Sequence, residues 1–211
     1  FALVSLLIIN ILAFTVAYLL TKGIKGSNIF RTVFFMPNLI GGIVLGYIWS
    51  MIFDGILSRY NTSILLNSTY GFWGLIILMA WQQIGYMMII YIAGLQAVPG
   101  DMLEAAKIDG ASEWKTLWDI IIPNVMPSIT ICTFLTLTNS FKLYDQNLAL
   151  TNGRPYNGAI HTTEMLALNI VNSNTLKTKG IGQAKAVMFF VLVAIIGIFQ
   201  MKSTHDKEVQ Q

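Results

Sequence analysis

Five long stretches of this chain carry no charged side chain: Phe1–Thr21, Thr32–Phe53, Tyr60–Gly100, Ile120–Phe141 and Ala186–Met201. About 30 Å of hydrocarbon is crossed by roughly 20 helical residues, and four of the stretches reach that length outright. The last has 16 residues and needs Lys185 and Lys202 to snorkel toward the two interfaces. The third is too long for one crossing. Its Asn61–Thr69 portion reads as an interfacial loop, leaving Phe72–Leu95 for the helix. The expectation is an all-α, polytopic transmembrane helical protein with five spans. Only 11% of its 211 residues are charged, against roughly 25% in soluble domains. A soluble, disordered or nucleic-acid-binding chain is therefore disfavoured. The net charge of +3 fits loops that meet anionic lipid better than a nucleic-acid footprint.

The chain opens on Phe1 inside an apolar run, with neither the basic region nor the cleavage site of a signal peptide. The expectation is a fragment whose N-terminal part is absent. The single cysteine, Cys132, lies mid-span and reads as a small apolar core residue.

Alternating the five spans divides the cations seven against six between the two sides, so density has to decide. Lys22, Lys25 and Arg31 crowd the short Thr21–Arg31 link, whereas the Asp54–Gly71 link holds only Arg59. Short loops dominate the positive-inside rule, which puts the Thr21–Arg31 side in the cytoplasm. Two longer loops follow: residues 96–118 on the cytoplasmic side and residues 142–185 outside. In the second, Thr163–Val171 reads as a short amphipathic helix on the membrane surface. Within the spans, Gly41, Gly42 and Gly46 permit close helix packing, and Pro37 kinks or begins the second span.

The cytoplasmic loop has a legible local grammar. Pro99 opens a helix, and Asp101 and Glu104 suit its positive N-terminal end. Ala105 and Ala106 keep one face without bulk. Gly110, after Asp109, adopts the left-handed conformation that ends such a helix. Ser112 caps a second helix that runs through Trp114 and Trp118 toward Pro123. Read from these residues alone, the segment is either an amphipathic helix lying on lipid or a docking element for another protein.

The spacing Glu104-Ala105-Ala106, Gly110, Ile120, Pro123 resembles the cytoplasmic signature of bacterial ABC-importer permeases. Ile122 stands where the family usually has leucine. Ala106 to Trp114 is similar to the carbohydrate-uptake branch, and Tyr144 to Pro155 resembles the MalF type of subunit rather than its MalG-type partner. The resemblance covers nearly the whole chain. It implies a six-span permease fold of which the absent segment holds the first span. It also implies a cytoplasmic ATPase dimer docked on Glu104, Ala105, Ala106, Asp109 and Gly110, with Pro123 setting the entry of the next span. A second permease subunit and an extracytoplasmic sugar-binding protein complete the implied assembly. The phosphate-binding loop of such ATPases needs Gly-Lys-Ser/Thr, and no Gly-Lys pair occurs here. ATP and magnesium therefore belong to the partner, with no cofactor on this chain, which is not an enzyme by itself.

Sugars are held by aromatic faces and planar polar groups. Trp81, Gln82 and Gln83 sit inside an apolar span, with Tyr86 one turn on; burying the amides is costly unless they meet other helices or a wet cavity. At the end of the Ile120–Phe141 span, Asn139, Phe141, Tyr144 and Asp145 mix aromatic and polar groups; the resemblance places this region near the translocation pathway. An interfacial aromatic belt explains the same composition. An anionic cargo such as a glycerol-phosphate compound favours cations in the pathway, and Lys142 is the one close by. That tilts the reading toward a neutral sugar, with a polyol or glycerol-phosphate compound as the alternative. Charge-free spans argue against an ion-coupled transporter. The absence of intramembrane histidine argues against a heme- or quinone-binding anchor. His161 and His205 have no ligand partners at metal spacing, so no metal is expected.

Overall fold

A computed structural model describes every residue except 158–159, 175–177 and 206–211. The first helices are α1 (Ala2–Thr21), α2 (Ser27–Phe35), α3 (Gly42–Leu57) and α4 (Ser68–Gln96). After them come α5 (Gly100–Ile108), α6 (Glu113–Thr116), α7 (Ile122–Phe141), α8 (Asp145–Leu150), α9 (Leu166–Asn172) and α10 (Lys179–His205). Two-residue strands β1 (Tyr156–Asn157) and β2 (Ile160–His161) form a small antiparallel ladder that pairs Tyr156 with His161.

Four helices are long and apolar enough to cross a membrane: α1, α4, the continuous run Glu113–Phe141, and Lys179–Gln200 of α10. The fifth expected span differs from the straight helix that its apolar run promised. It breaks into α2, a 3-10 turn at Met36–Leu39, and α3, with a bend of 102° between the halves. Pro37 has no N–H to continue the ladder, and Ile40 and Gly41 are extended, with ψ of 133° and 141°. Hydropathy saw one span because both halves are apolar; the break lies in the backbone.

α4 is the hub. α1 is apolar all round, yet only the stripe Ser5, Ile9, Ala13, Ala17 and Leu20 is buried, at helical spacing and mostly of small residues that let α1 lie close on α4 and α7. Glycines set the other approaches. A Cβ on Gly85 would collide with the Phe34 carbonyl, so α2 crosses α4 backbone to side. A Cβ on Gly94 would collide with Ser128 of α7. On α3, a Cβ at Gly42 would lie 2.8 Å from the Asp145 Cβ, and one at Gly46 would lie 2.5 Å from the Ala149 Cβ. Gly42 and Gly46 thus seat α8 on α3, as the small-residue reading expects; Gly41 meets nothing within 4 Å and serves the break instead.

Polar groups inside the bundle are tied across helices. Tyr91 donates to Asn10 at 2.7 Å, and Asn10 donates to Thr136 at 3.3 Å, linking α4, α1 and α7. Cys132 is fully buried, with its Sγ 3.7 Å from the Met87 carbonyl. At the far end, fully buried Asn147 donates to the Thr163 carbonyl at 2.8 Å and accepts from the Met165 N–H at 2.9 Å. These bonds fasten the segment between α8 and α9. α9 falls within one turn of its expected place. Lys185 is tied within the chain: its Nζ donates to Asn169 and Ser173 at 2.8 and 2.6 Å, docking α10 against α9 and its C-terminal end.

Candidate functional site

A polar cavity of about 320 Å³ opens where the α2–α3 break, α4 and the α7–α8 junction meet. Gln82 and Gln83 supply its α4 wall, and both are buried. Two buried amides in an apolar helix need partners, and each has one. Gln146 Nε2 donates to Gln82 Oε1 at 2.7 Å, and Gln82 Nε2 donates to the Ile40 carbonyl at 3.3 Å. Asn139 Nδ2 donates to Gln83 Oε1 at 3.3 Å. The broken span thus contributes a free carbonyl to Gln82 and the Asn38 side chain to the lining. Lys142, Tyr144 and Asp145 complete the wall.

Of the expected pathway residues, the structure brings together Gln82, Asn139, Tyr144 and Asp145. Trp81, Tyr86 and Phe141 do not line the cavity. Trp81 lies next to Gln82 in the helix and so points about 100° away; its ring packs edge-on to Trp49 with centroids 5.5 Å apart. Tyr86 lies beyond the level at which α2 crosses α4 at Gly85. Phe141 is half-buried at the end of α7. Asn38 and Gln146 were missed in the sequence. The signal for Asn38 was its place beside Pro37, and for Gln146 its place beside Asp145.

The opposite end of the bundle carries the loop after α4. Pro99 caps α5, Asp101 stands in its first turn and Lys107 in its last, each opposite in sign to the helix dipole at that end. Gly110 has φ of +73°. The Ala111 N–H reaches the Ala106 carbonyl at 2.9 Å and the Gly110 N–H reaches Lys107 at 3.2 Å, the paired bonds of a Schellman stop. Ser112 then caps α6 by accepting from the Lys115 N–H at 3.3 Å. A π turn at Leu117–Ile121, where the Ile122 N–H bonds to the Leu117 carbonyl, joins α6 to α7 just ahead of Pro123. Wide turns of this kind absorb the hydrogen bond that a proline cannot make. Pro123 therefore lies in the first turn of α7, away from the loop tip.

Ala105, Ala106, Asp109 and Gly110 line a concavity of about 650 Å³ between α5 and the π turn. Ala106 is itself buried under Ala111, so of the two alanines Ala105 is the exposed one. Glu104 stands exposed outside the concavity. The most prominent group is one the sequence did not single out: Ile108, at the end of α5, is 86% exposed. Trp114 and Trp118 are exposed as well and pack edge-on at 5.7 Å, lining an apolar groove with Ile11, Phe14 and Tyr18 of α1. Lys22, at the end of α1, bonds to Glu113 at 2.7 Å. That bond holds the Lys22 ammonium above its ordinary pKa.

Among the described residues no three metal-ligating side chains come together. The side chains of His161 and His205 lie outside the described residues.

The family model of binding-protein-dependent transport system inner membrane components matches residues 3–202. The chain belongs to this family. It is accordingly a multi-pass inner-membrane permease. It is 42% identical to the probable starch degradation products transport system permease protein AmyD of Thermoanaerobacterium thermosulfurigenes, over all of this chain and 74% of that protein. It is 30% identical to the multiple sugar-binding transport system permease protein MsmF of Streptococcus mutans, over 94% of this chain and 71% of that protein. Among solved structures, a bacterial ABC transporter that imports the acidic polysaccharide alginate superposes with a TM-score of 0.81 at 16% identity. The match covers 97% of this permease and 75% of that chain, and it places the fold.

Proposed function

We propose that this permease forms part of the translocation pathway of an ATP-driven importer for a sugar or short oligosaccharide. The observation that carries the reading is the cavity of about 320 Å³ walled by amides inside an otherwise apolar bundle. Planar amides donate and accept at once, which suits a rim of hydroxyls, and the similar AmyD and MsmF are named for sugar uptake. A glycerol-phosphate cargo fits less well, because Asp145 stands in the cavity with Lys142.

In this reading the α8 end faces outward and receives cargo from a binding protein. The α5 end faces the cytoplasm and docks on an ATPase dimer, which binds ATP and magnesium and does the hydrolysis. A second permease subunit closes the pathway. Support for the docking role comes from shape: a helix fixed by a Schellman stop presents Ile108 and Glu104 to solvent. Gly110 serves the same role by holding that projection rigid. ATP-driven motion at the docked turn then passes through the π turn and Pro123 into α7, whose far end carries Asn139.

The test is uptake of labelled maltotriose into proteoliposomes holding the assembled transporter and its binding protein. Accumulation that requires ATP supports the reading; accumulation of amino acids or glycerol phosphate in its place overturns it. Gly110→Asp should abolish uptake while leaving the complex assembled in detergent. Full coupled uptake in that variant sinks the docking role.

A further inference from the structure

The cavity holds one cation and one anion that do not neutralise each other by contact. Lys142 and Asp145 both line it and both are exposed, and neither joins an ion pair among the described residues. Every other polar group in the lining is uncharged: the amides of Asn38, Gln82, Gln83, Asn139 and Gln146, and the Tyr144 hydroxyl. The formal charge of the cavity is therefore zero, set by two residues three positions apart across the α7–α8 junction. Asp145 also occupies the first turn of α8, where the helix dipole favours an anion. Its Cβ is fixed there by Gly42, where any side chain would strike it at 2.8 Å.

We infer that Asp145, set against Lys142, is a specificity determinant that excludes anionic sugars from the pathway. The inference rests on the carbohydrate reading above and adds to it the charge class of the cargo. An ionised carboxylate or phosphate entering a confined cavity loses hydration, at a cost that only compensating charge offsets. Lys142 alone supplies that compensation. Asp145 cancels it at similar range, so an acidic sugar forfeits solvation and gains nothing, while a neutral sugar exchanges water for amides. Removing Asp145 leaves a cavity of net positive charge with the hydroxyl-binding amides intact. Removing Lys142 deepens the exclusion.

The experiment measures binding to the assembled transporter in detergent, without its binding protein, by saturation-transfer NMR. The two probes are maltotriose and its analogue oxidised at C6 of the terminal glucose, a uronic acid that keeps every ring and differs by one carboxylate in place of a hydroxymethyl group. The wild type should prefer maltotriose. Asp145→Asn should shift the ratio of dissociation constants toward the acid by roughly five-fold, the scale of one partly screened charge at short range. Lys142→Gln should move the ratio the other way. Both shifts should shrink at high salt. A ratio within two-fold of wild type in both variants overturns the inference, as does an equal loss of both probes, which a merely structural role would give. Failure of the wild type to bind either probe overturns the carbohydrate reading, and this inference with it.

Discussion

At the α8 end of the bundle, polar side chains are spent on one another. Gln146 bonds Gln82, Asn139 bonds Gln83, and Asn147 holds the chain between α8 and α9. At the α5 end, the backbone is closed by its own caps, but the side chains face out: Ile108, Trp114 and Trp118 are exposed, and Glu104 meets solvent. One end is complete in its buried amides, while its cavity keeps Lys142 and Asp145 open. The other is incomplete, a fixed turn with its apolar tip in solvent. Buried polar groups must be satisfied at home, so the pathway end is where the fold is over-determined. On the proposed docking, the exposed apolar tip of that turn is surface that the ATPase would cover.

The largest expected effect tests how tightly the complete end is built. Gly85→Ala adds one methyl group where the Phe34 carbonyl already stands. A backbone atom cannot step aside as a flexible side chain can, so α2 must leave α4 and carry the break with it. The cost is about 3 kcal/mol or more, the upper range for overpacking. Size-exclusion profiles and thermal melting of the assembled complex should show loss of the folded species. Wild-type melting of Gly85→Ala would mean that α2 is loosely held and that the cavity wall it supports is not fixed.

The incomplete end should respond in the opposite way. Ile108→Asp changes an 86% exposed side chain, and surface changes of this kind leave stability within about 0.5 kcal/mol. Melting of the isolated permease pair should not move. Association with the ATPase subunits should weaken about ten-fold, the scale of a contributing interface anchor, as read by pull-down titration against purified ATPase. Unchanged association would assign docking to Glu104 or the tryptophans rather than to the α5 tip.

How far each end was legible in the sequence follows the same division. The turn from Pro99 to Ser112 was readable residue by residue, because caps, dipole partners and a left-handed glycine act over a few positions. The long spans were readable because charge is excluded from hydrocarbon. The 102° break was not, since α2 and α3 are both apolar and only Pro37 marked the join. Nor was the division between Trp81 and Gln82: which of two adjacent residues lines the cavity depends on where α3 and α8 pack on α4. Lys185 was read as an interfacial anchor because a lone lysine beside an apolar run usually is one; its partners on α9 and at the end of that helix lie 16 and 12 positions away. Ile108 escaped notice for a related reason, as exposure of one isoleucine has no sequence signature.

The smallest expected effect concerns the link between the two ends. Lys22–Glu113 is the ion pair that joins the end of α1 to the first residue of α6, beside the docking turn. On the proposed docking, motion imposed on that turn would reach α1 through it, as well as α7 through the π turn. Both side chains are well exposed, at 44% and 83%, so solvent and salt screen the contact and the covalent route through α7 dominates. Lys22→Glu and Glu113→Lys, each alone, should raise the ATP hydrolysed per sugar imported by about two-fold at low salt, in keeping with a weak surface pair. The double exchange should restore the wild-type ratio, since the pair is then rebuilt with its signs reversed. Raising ionic strength should erase the difference between the single variants and wild type. Single variants with wild-type coupling at every salt concentration would leave α7 as the sole route, and the two ends would then communicate through one helix.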